Sequence, residues 1–301
     1  DIYENEAIAI VGESGSGKSV FTKTFAGMLD SNGFISQGKI LFDDPELSDT
    51  RVKLTPLAHK LIHKARRRLD EDARLELGAA TYRQILELES EKRQRAGLSG
   101  EEQAAAQAEM KELKDRRTEA FNRKQTLDPS KEKEQIRQVS GLIAQLDEEM
   151  KALEKKQAEA VKAKEASLAA DAGFQKQYKE RRDALQAQYD REIKGEISPA
   201  AAARNEILAK EIYLSVGRYG LHQRVQYLNR LLAAVREAMR LGVDLDDEEQ
   251  RSAVFDDVTF RVKYLDETAD QLHGTCVLNL ARVKYPKDWC QIRGRRIATV
   301  F

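Results

Sequence analysis

One stretch of the sequence combines residue types and spacing that can do chemistry: Gly12-Glu13-Ser14-Gly15-Ser16-Gly17-Lys18-Ser19. It fits the phosphate-binding pattern G-x-x-x-x-G-K-[ST] at every fixed position. Glycines 12, 15 and 17 allow the backbone to bend tightly and to approach a ligand closely. Successive N–H groups backed by a helix N-terminus form an anion-binding concavity. Lys18 is expected to reach the β- and γ-phosphates of a nucleotide, and the Ser19 hydroxyl to ligate Mg²⁺. The expected binding set is Gly12, Glu13, Ser14, Gly15, Ser16, Gly17, Lys18, Ser19 and the following Val20, with Ser19 as the metal ligand.

Such a loop needs a strand before it and a helix after it. Ala7-Ile8-Ala9-Ile10-Val11 is a short apolar run of the kind found in buried parallel strands. Phe21, Phe25 and Met28 recur at i, i+4 and i+7, which predicts the helix. Asp30 to Gly33 reads as a turn and Phe34 to Phe42 as a second strand, broken by Pro45.

Beyond residue 52 the character changes to helices rich in Ala, Glu, Lys, Arg and Gln. Helices are expected over 52–96, from Ser99 to about Thr126, from Lys131 to Leu168, over 172–194, and from Ser198-Pro199 to about Leu241. Ile136, Val139, Ile143, Leu146, Met150 and Leu153 follow 3-4-3-4-3 spacing, a brief coiled-coil seam. Its simplest partner is a neighbouring helix, and an intermolecular coiled coil is the sharper alternative. Alternation at Val258, Phe260, Val262 and Tyr264 predicts a strand, with a partner over Cys276 to Tyr285. Ile297 to Phe301 again has a buried-strand pattern.

The 301 residues carry 51 basic and 51 acidic side chains, so the formal net charge is zero. That balance argues against a general nucleic-acid or anionic-membrane binder. Two cysteines exclude a disulfide framework. No apolar run is long enough to span a membrane. The chain opens at Asp1, without an initiator Met and nearly inside a strand, so truncation at the N-terminus is expected.

Three other patterns have ordinary explanations. Leu98-Ser99-Gly100-Glu101-Glu102-Gln103 looks like a degenerate LSGGQ sequence, but Ser99 and Glu102 form a capping box. His59 and His63 stand at i, i+4, yet no carboxylate or cysteine completes a metal site. Arg66, Arg67 and Arg68 are followed at once by Asp70, Glu71 and Asp72, which predicts a solvated helix face.

"AIAIVGESGSGKSV", then "GKILFDD", then "DWCQIRGRRIATVF" together resemble the ATP-binding subunits of oligopeptide and dipeptide ABC transporters. Gly38, Ile40 and Phe42 match the family's G-x-I-x-F strand. Arg293, Gly294, Ile297, Ala298 and Phe301 match its approach to the Q-loop. The resemblance implies an α/β P-loop NTPase core of ABC type, incomplete and truncated at both ends. A long, mostly α-helical, partly coiled-coil insertion would split it. It divides the chain into 1–47, with the phosphate loop; 48–285, the insertion, with a β-hairpin near 258–285; and 286–301, a return to the nucleotide-binding domain that ends before the Q-loop.

The resemblance further implies Mg²⁺ and ATP as ligands, and ATP hydrolysis coupled to peptide import in the complete protein. Implied partners are transmembrane permease subunits, a second ATP-binding subunit and, indirectly, an extracytoplasmic substrate-binding protein, at the cytoplasmic face of the membrane. The family's catalytic base, signature sequence and switch histidine have no counterpart here, so the catalytic residues are unknown. Two rival readings are an SMC-type coiled-coil ATPase and a non-catalytic scaffold that displays helices on a degenerate core.

Overall fold

The structure, a computed structural model, describes residues 3, 6–13, 15–29, 33–128, 131–255, 260–283 and 292–298. The chain divides into two compact units, residues 1–79 with 192–301 and residues 80–191.

The first unit begins with the loop and α1 (Lys18–Phe25), then β1 (Leu41–Phe42), α2 (Pro45–Ser48), β2 (Asp49–Lys53), α3 (Pro56–Asp72) and α4 (Arg74–Leu77). Local signals set these starts. The Asp44 carboxylate accepts from the amides of Glu46 and Leu47 and so caps α2, and the Thr55 hydroxyl accepts from Ala58 and caps α3. Each helix has proline in its first turn, where no amide donor is missed.

β2 has buried Thr50 and Val52 between exposed Asp49, Arg51 and Lys53, the period-2 pattern of a half-buried strand. The single helix expected over 52–96 is thus a strand and then α3, α4 and α5 (Ala79–Ala96), with a break at Gly78.

Further along come α9 (Pro199–Ser215), α10 (Leu221–Leu241), α11 (Glu248–Val254), β3 (Phe260–Glu267) and β4 (Gln271–Asn279). β4 is the centre of the sheet. β3 pairs along one edge, while β2 and β1 share the other, all antiparallel. The β3–β4 hairpin closes at Thr268, whose amide donates to the Gln271 carbonyl at 2.9 Å. Val258 and Thr259, and Lys284 and Tyr285, lie outside the described residues.

The sheet packs with α3, α9 and α10 around a core that includes Leu69, Leu208, Ile212, Tyr213, Leu231, Met239 and Leu272. Buried Asn205 donates to Asp70 at 3.0 Å, which satisfies a polar group the core would otherwise penalise.

Arg218 ties α9's end to the sheet. Its Nε donates to Thr50 Oγ1 at 3.0 Å, its Nη2 donates to the carbonyls of Leu47 and Asp49, and the guanidinium lies 4.6 Å from the Phe260 ring centroid. Cys276 is fully buried, and burial pushes its thiol pKa up.

The second unit consists of α5 beyond Ala79, α6 (Gly100–Thr126), α7 (Lys133–Ala170) and α8 (Ala172–Glu192) up to Arg191. α6 and α7 form an antiparallel hairpin. Arg117 Nε meets Asp147 at 2.5 Å, and Glu102, near the start of α6, pairs with Lys164, late in α7. Leu146 and Leu153 of the seam are buried against Leu113, with Met110 and Met150 alongside. α5 and α8 meet through Tyr82 and Tyr189, whose rings lie 5.8 Å apart.

Two strand expectations are corrected. Residues 6–13 have no strand pairing with any other described residue, and Ile8, Ile10 and Val11 are exposed. A parallel strand exists only beside a partner, and every strand ladder among the described residues runs antiparallel through β4. Of 34–42, only Leu41 and Phe42 form strand, because β4 is paired to β1 at those two positions alone.

Residues 292–297 form a tight turn with one isolated bridge, Arg293 to Ile297, and Thr299 to Phe301 lie outside the described residues. The described part of that segment, 292–298, thus has no strand pairing with residues 7–11, and the rest of the expected strand falls on residues that are not described. β2, α3, α9, α10, β3 and β4 pack into the same unit as residues 1–47, which places the divisions at 79/80 and 191/192.

Candidate functional site

The glycine loop is built by its own backbone. Gly15 and Gly17 have φ of 83° and 86°, a region that side chains rarely tolerate. The Ser16 amide donates to the Glu13 carbonyl at 3.2 Å and closes the turn. Gly17 then serves as the N-cap of α1 without a side-chain hydrogen bond, and α1's first turn contains no acidic residue. The leading amides of the helix, from Lys18 to Val20, have no acceptor within it. The helix dipole adds positive potential at the same place.

Lys18 curls back over this loop. Its ammonium donates to the carbonyls of Gly12 at 2.6 Å and Glu13 at 2.5 Å, and lies 3.3 Å from Ser16 Oγ. One cation, a row of amide donors and a short exposed hydroxyl, Ser19, therefore lie within one eight-residue stretch of chain. A Cβ placed on Gly12 would stand 2.9 Å from Ser16 Oγ, so the inner wall has no room for a side chain. A Cβ on Gly15 or Gly17 would meet nothing within 4 Å, so the loop's other side is open to a ligand.

These donors fit a polyphosphate. Backbone amides and Lys18 would hold its oxygens, and Ser19 would supply one ligand to an accompanying Mg²⁺. Bound Mg²⁺-ATP supplies a transferable phosphoryl group whose charge the metal and the loop neutralise. Ser14 lies outside the described residues; Val20 and Phe21 are exposed on α1, with Phe21 edge-on to Phe25 at 4.8 Å.

The capping-box and helix-face explanations hold. Ser99 and Glu102 exchange capping hydrogen bonds, from the Ser99 amide at 2.7 Å and from the Glu102 amide at 3.3 Å. Hydrogen bonds from Lys164 and from Ser99 hold the Glu102 carboxyl down to about 2. His59 and His63 are exposed on α3, and the described residues hold no group of three or more His, Cys, Asp or Glu able to bind a metal. Arg66, Arg67 and Arg68 each pair with the acid four residues on. A wide concavity of about 1160 Å³ lies within the second unit, between α5, α6 and α7.

Sequence reasoning missed two arginines. Arg293 donates from Nε to the Ala26 carbonyl at 2.8 Å and from Nη2 to the Gly27 carbonyl, at the end of α1. Arg296 meets Asp44 at 2.7 Å and Glu46 on the other side of the turn. Their partners are some 250 residues away in sequence, so no local pattern announces them.

The described residues include no helix long and apolar enough to cross a membrane. No solved structure matches the chain. Among curated proteins, the oligopeptide transport ATP-binding protein AmiE of Streptococcus pneumoniae serotype 4 is 56% identical over 48 residues, 16% of this chain and 14% of that protein. The dipeptide transport ATP-binding protein DppD of Lactococcus lactis subsp. cremoris is 47% identical over 51 residues, 17% of this chain and 15% of that protein. The chain thus spans about a seventh of the length of these relatives. The model of the ABC transporter family matches residues 1–218, which stops short of the block at 286–301 but covers well over half of the sequence. By that match the chain belongs to the ABC transporter family.

Proposed function

We propose that this chain is part of the energy-coupling subunit of a transporter that imports oligopeptides or dipeptides, and that Gly12 to Val20 bind Mg²⁺-ATP. ABC ATP-binding domains in general bind ATP with Mg²⁺ and hydrolyse it. The observation that carries the reading is the loop itself, with positive φ at Gly15 and Gly17, Lys18 folded over it and no side-chain cap on the leading amides of α1. The peptide substrate class rests on the names of the relatives. Those names favour a transporter over a chromosome ATPase or a scaffold.

On this reading the partners are two membrane permease subunits and a second ATP-binding subunit, with the chain peripheral at the cytoplasmic face. Residues 48–285 are then an insertion into the nucleotide-binding domain. Its sheet and its helices α3, α9 and α10 support the core, while residues 80–191 fold as a unit of their own.

The test is peptide uptake. Membrane vesicles containing the complete transporter should accumulate a labelled oligopeptide or dipeptide only with ATP, and Lys18→Ala should abolish accumulation. Uptake of peptide that is indifferent to ATP, or to Lys18→Ala, contradicts the proposal.

A further inference from the structure

We propose that Arg293 is a positioning residue for the phosphate loop, acting through the far end of α1. This rests on the loop being the nucleotide site. α1 is short, at eight residues or about 12 Å, and it buries none of its own residues. Its anchorage comes from its C-terminal end, where Ala26 is 4% exposed and both hydrogen bonds from Arg293 land.

The last carbonyls of a helix lack intrahelical donors and carry the negative end of its dipole. A guanidinium is suited to that place, because two of its donors diverge in a fixed plane and its charge is permanent. Arg293 thus satisfies the Ala26 and Gly27 carbonyls and opposes the dipole with one group.

Arg293 is itself held firmly. Its neighbour Ile292 is 1% exposed within the core of the first unit. The turn closes with Arg296 N–H to Ile292 O at 2.8 Å, Ile297 N–H to Ile292 O at 3.0 Å and Gly294 N–H to Ile297 O at 2.9 Å. Gly294 has φ of 72°, which lets the chain reverse so sharply. Arg296 points to different partners, Asp44 at the cap of α2 and Glu46.

The physical connection therefore runs from the core through Ile292 and Arg293 to the end of α1, and along one rigid helix to Lys18 at its start. A helix this short moves as a body, so freeing its end also frees the amides that face the ligand. Binding would then have to order them, which weakens affinity without removing any group that touches the nucleotide.

The experiment measures Mg²⁺-ATP affinity by titration calorimetry on the full chain, with thermal unfolding in parallel. Arg293→Ala should bind about tenfold more weakly, while Arg293→Lys, which keeps the charge and one donor, should stay within about threefold of the parent. Arg296→Ala, which loses its contacts to α2, should keep the parent affinity. Amide exchange over Lys18 to Phe25 should quicken in Arg293→Ala but not in Arg296→Ala.

If Arg293→Ala does not fold, Arg293→Gln is read by the same criteria. Unchanged affinity in the Arg293 variants, or equal weakening in Arg296→Ala, overturns the inference. Failure of the parent chain to bind ATP instead overturns the functional reading on which the inference rests.

Discussion

Excising residues 80–191 should leave the rest of the protein folded and able to bind nucleotide. The structure sets the expected magnitude. The cut ends lie close together, because a Cβ placed on Gly195 would stand 2.8 Å from Leu77 Cδ1. A flexible linker of about six residues spans roughly 13 Å, which is ample. Shortening the connection to that length removes about four doublings in loop length. Each doubling costs about 0.6 kcal/mol, so the remaining unit gains about 2.4 kcal/mol at most. The folded hairpin already restrains its own ends, so the real gain is smaller.

Both major ladders of β4 and the packing of α3 on α9 and α10 are untouched by this cut. The excised protein should unfold in one transition by circular dichroism, at a temperature no lower than the first unit shows in the parent, with ATP affinity within about twofold. The wider deletion, 48–285, should fail. It removes β4, which pairs with β1 at Leu41 and Phe42, and the Leu280 amide, which donates to the Ile40 carbonyl at 2.7 Å. An insoluble protein after the 80–191 excision, or a soluble one after the 48–285 deletion, would refute the reasoning.

Two further outcomes follow from particular contacts. Gly274→Ala should destabilise the first unit by about 2–3 kcal/mol in denaturant unfolding, because the new Cβ would lie 2.2 Å from the Tyr264 carbonyl oxygen and 2.5 Å from Leu214 Cδ2. Glu102 has a folded pKa of about 2 against an ordinary 4.5. A depressed carboxylate contributes stability that is present above 4.5 and lost as pH falls toward 2. The first turn of α6 should therefore fray over that window, as read by amide exchange at Glu102 and Gln103, and Glu102→Gln should remove the pH dependence.

What was legible in the sequence was local. Ser99 with Glu102, and Ser198-Pro199, begin helices where their types predict, since a cap needs only residues three positions apart. The glycine loop is of the same kind, with its turn and its lysine contacts made inside eight residues.

The strands were less legible because a strand is a property of two segments. Ala7 to Val11 has the composition of a buried strand and no strand partner among the described residues, whereas β2, whose last two residues Val52 and Lys53 fell within an expected helix, forms strand because β4 pairs with it. Arg218 and Arg293 were illegible for a related reason. A charged residue in a charged sequence gives no sign of the carbonyl it will reach across the fold.

The central claim is that the loop at Gly12 to Val20 binds Mg²⁺-ATP and that Lys18 is its principal cation. The direct measurement is calorimetric titration of Mg²⁺-ATP into the chain and into Lys18→Ala. The variant should keep its fold by circular dichroism, because among the described residues Lys18 donates to the loop's own Gly12 and Glu13 carbonyls and Ser16 alone. Each charge-assisted hydrogen bond to a phosphate contributes about 1.5–3 kcal/mol, so losing the ammonium should weaken binding by about 10- to 100-fold. A parent chain that binds no ATP, or a Lys18→Ala variant with the parent's affinity, would contradict the account.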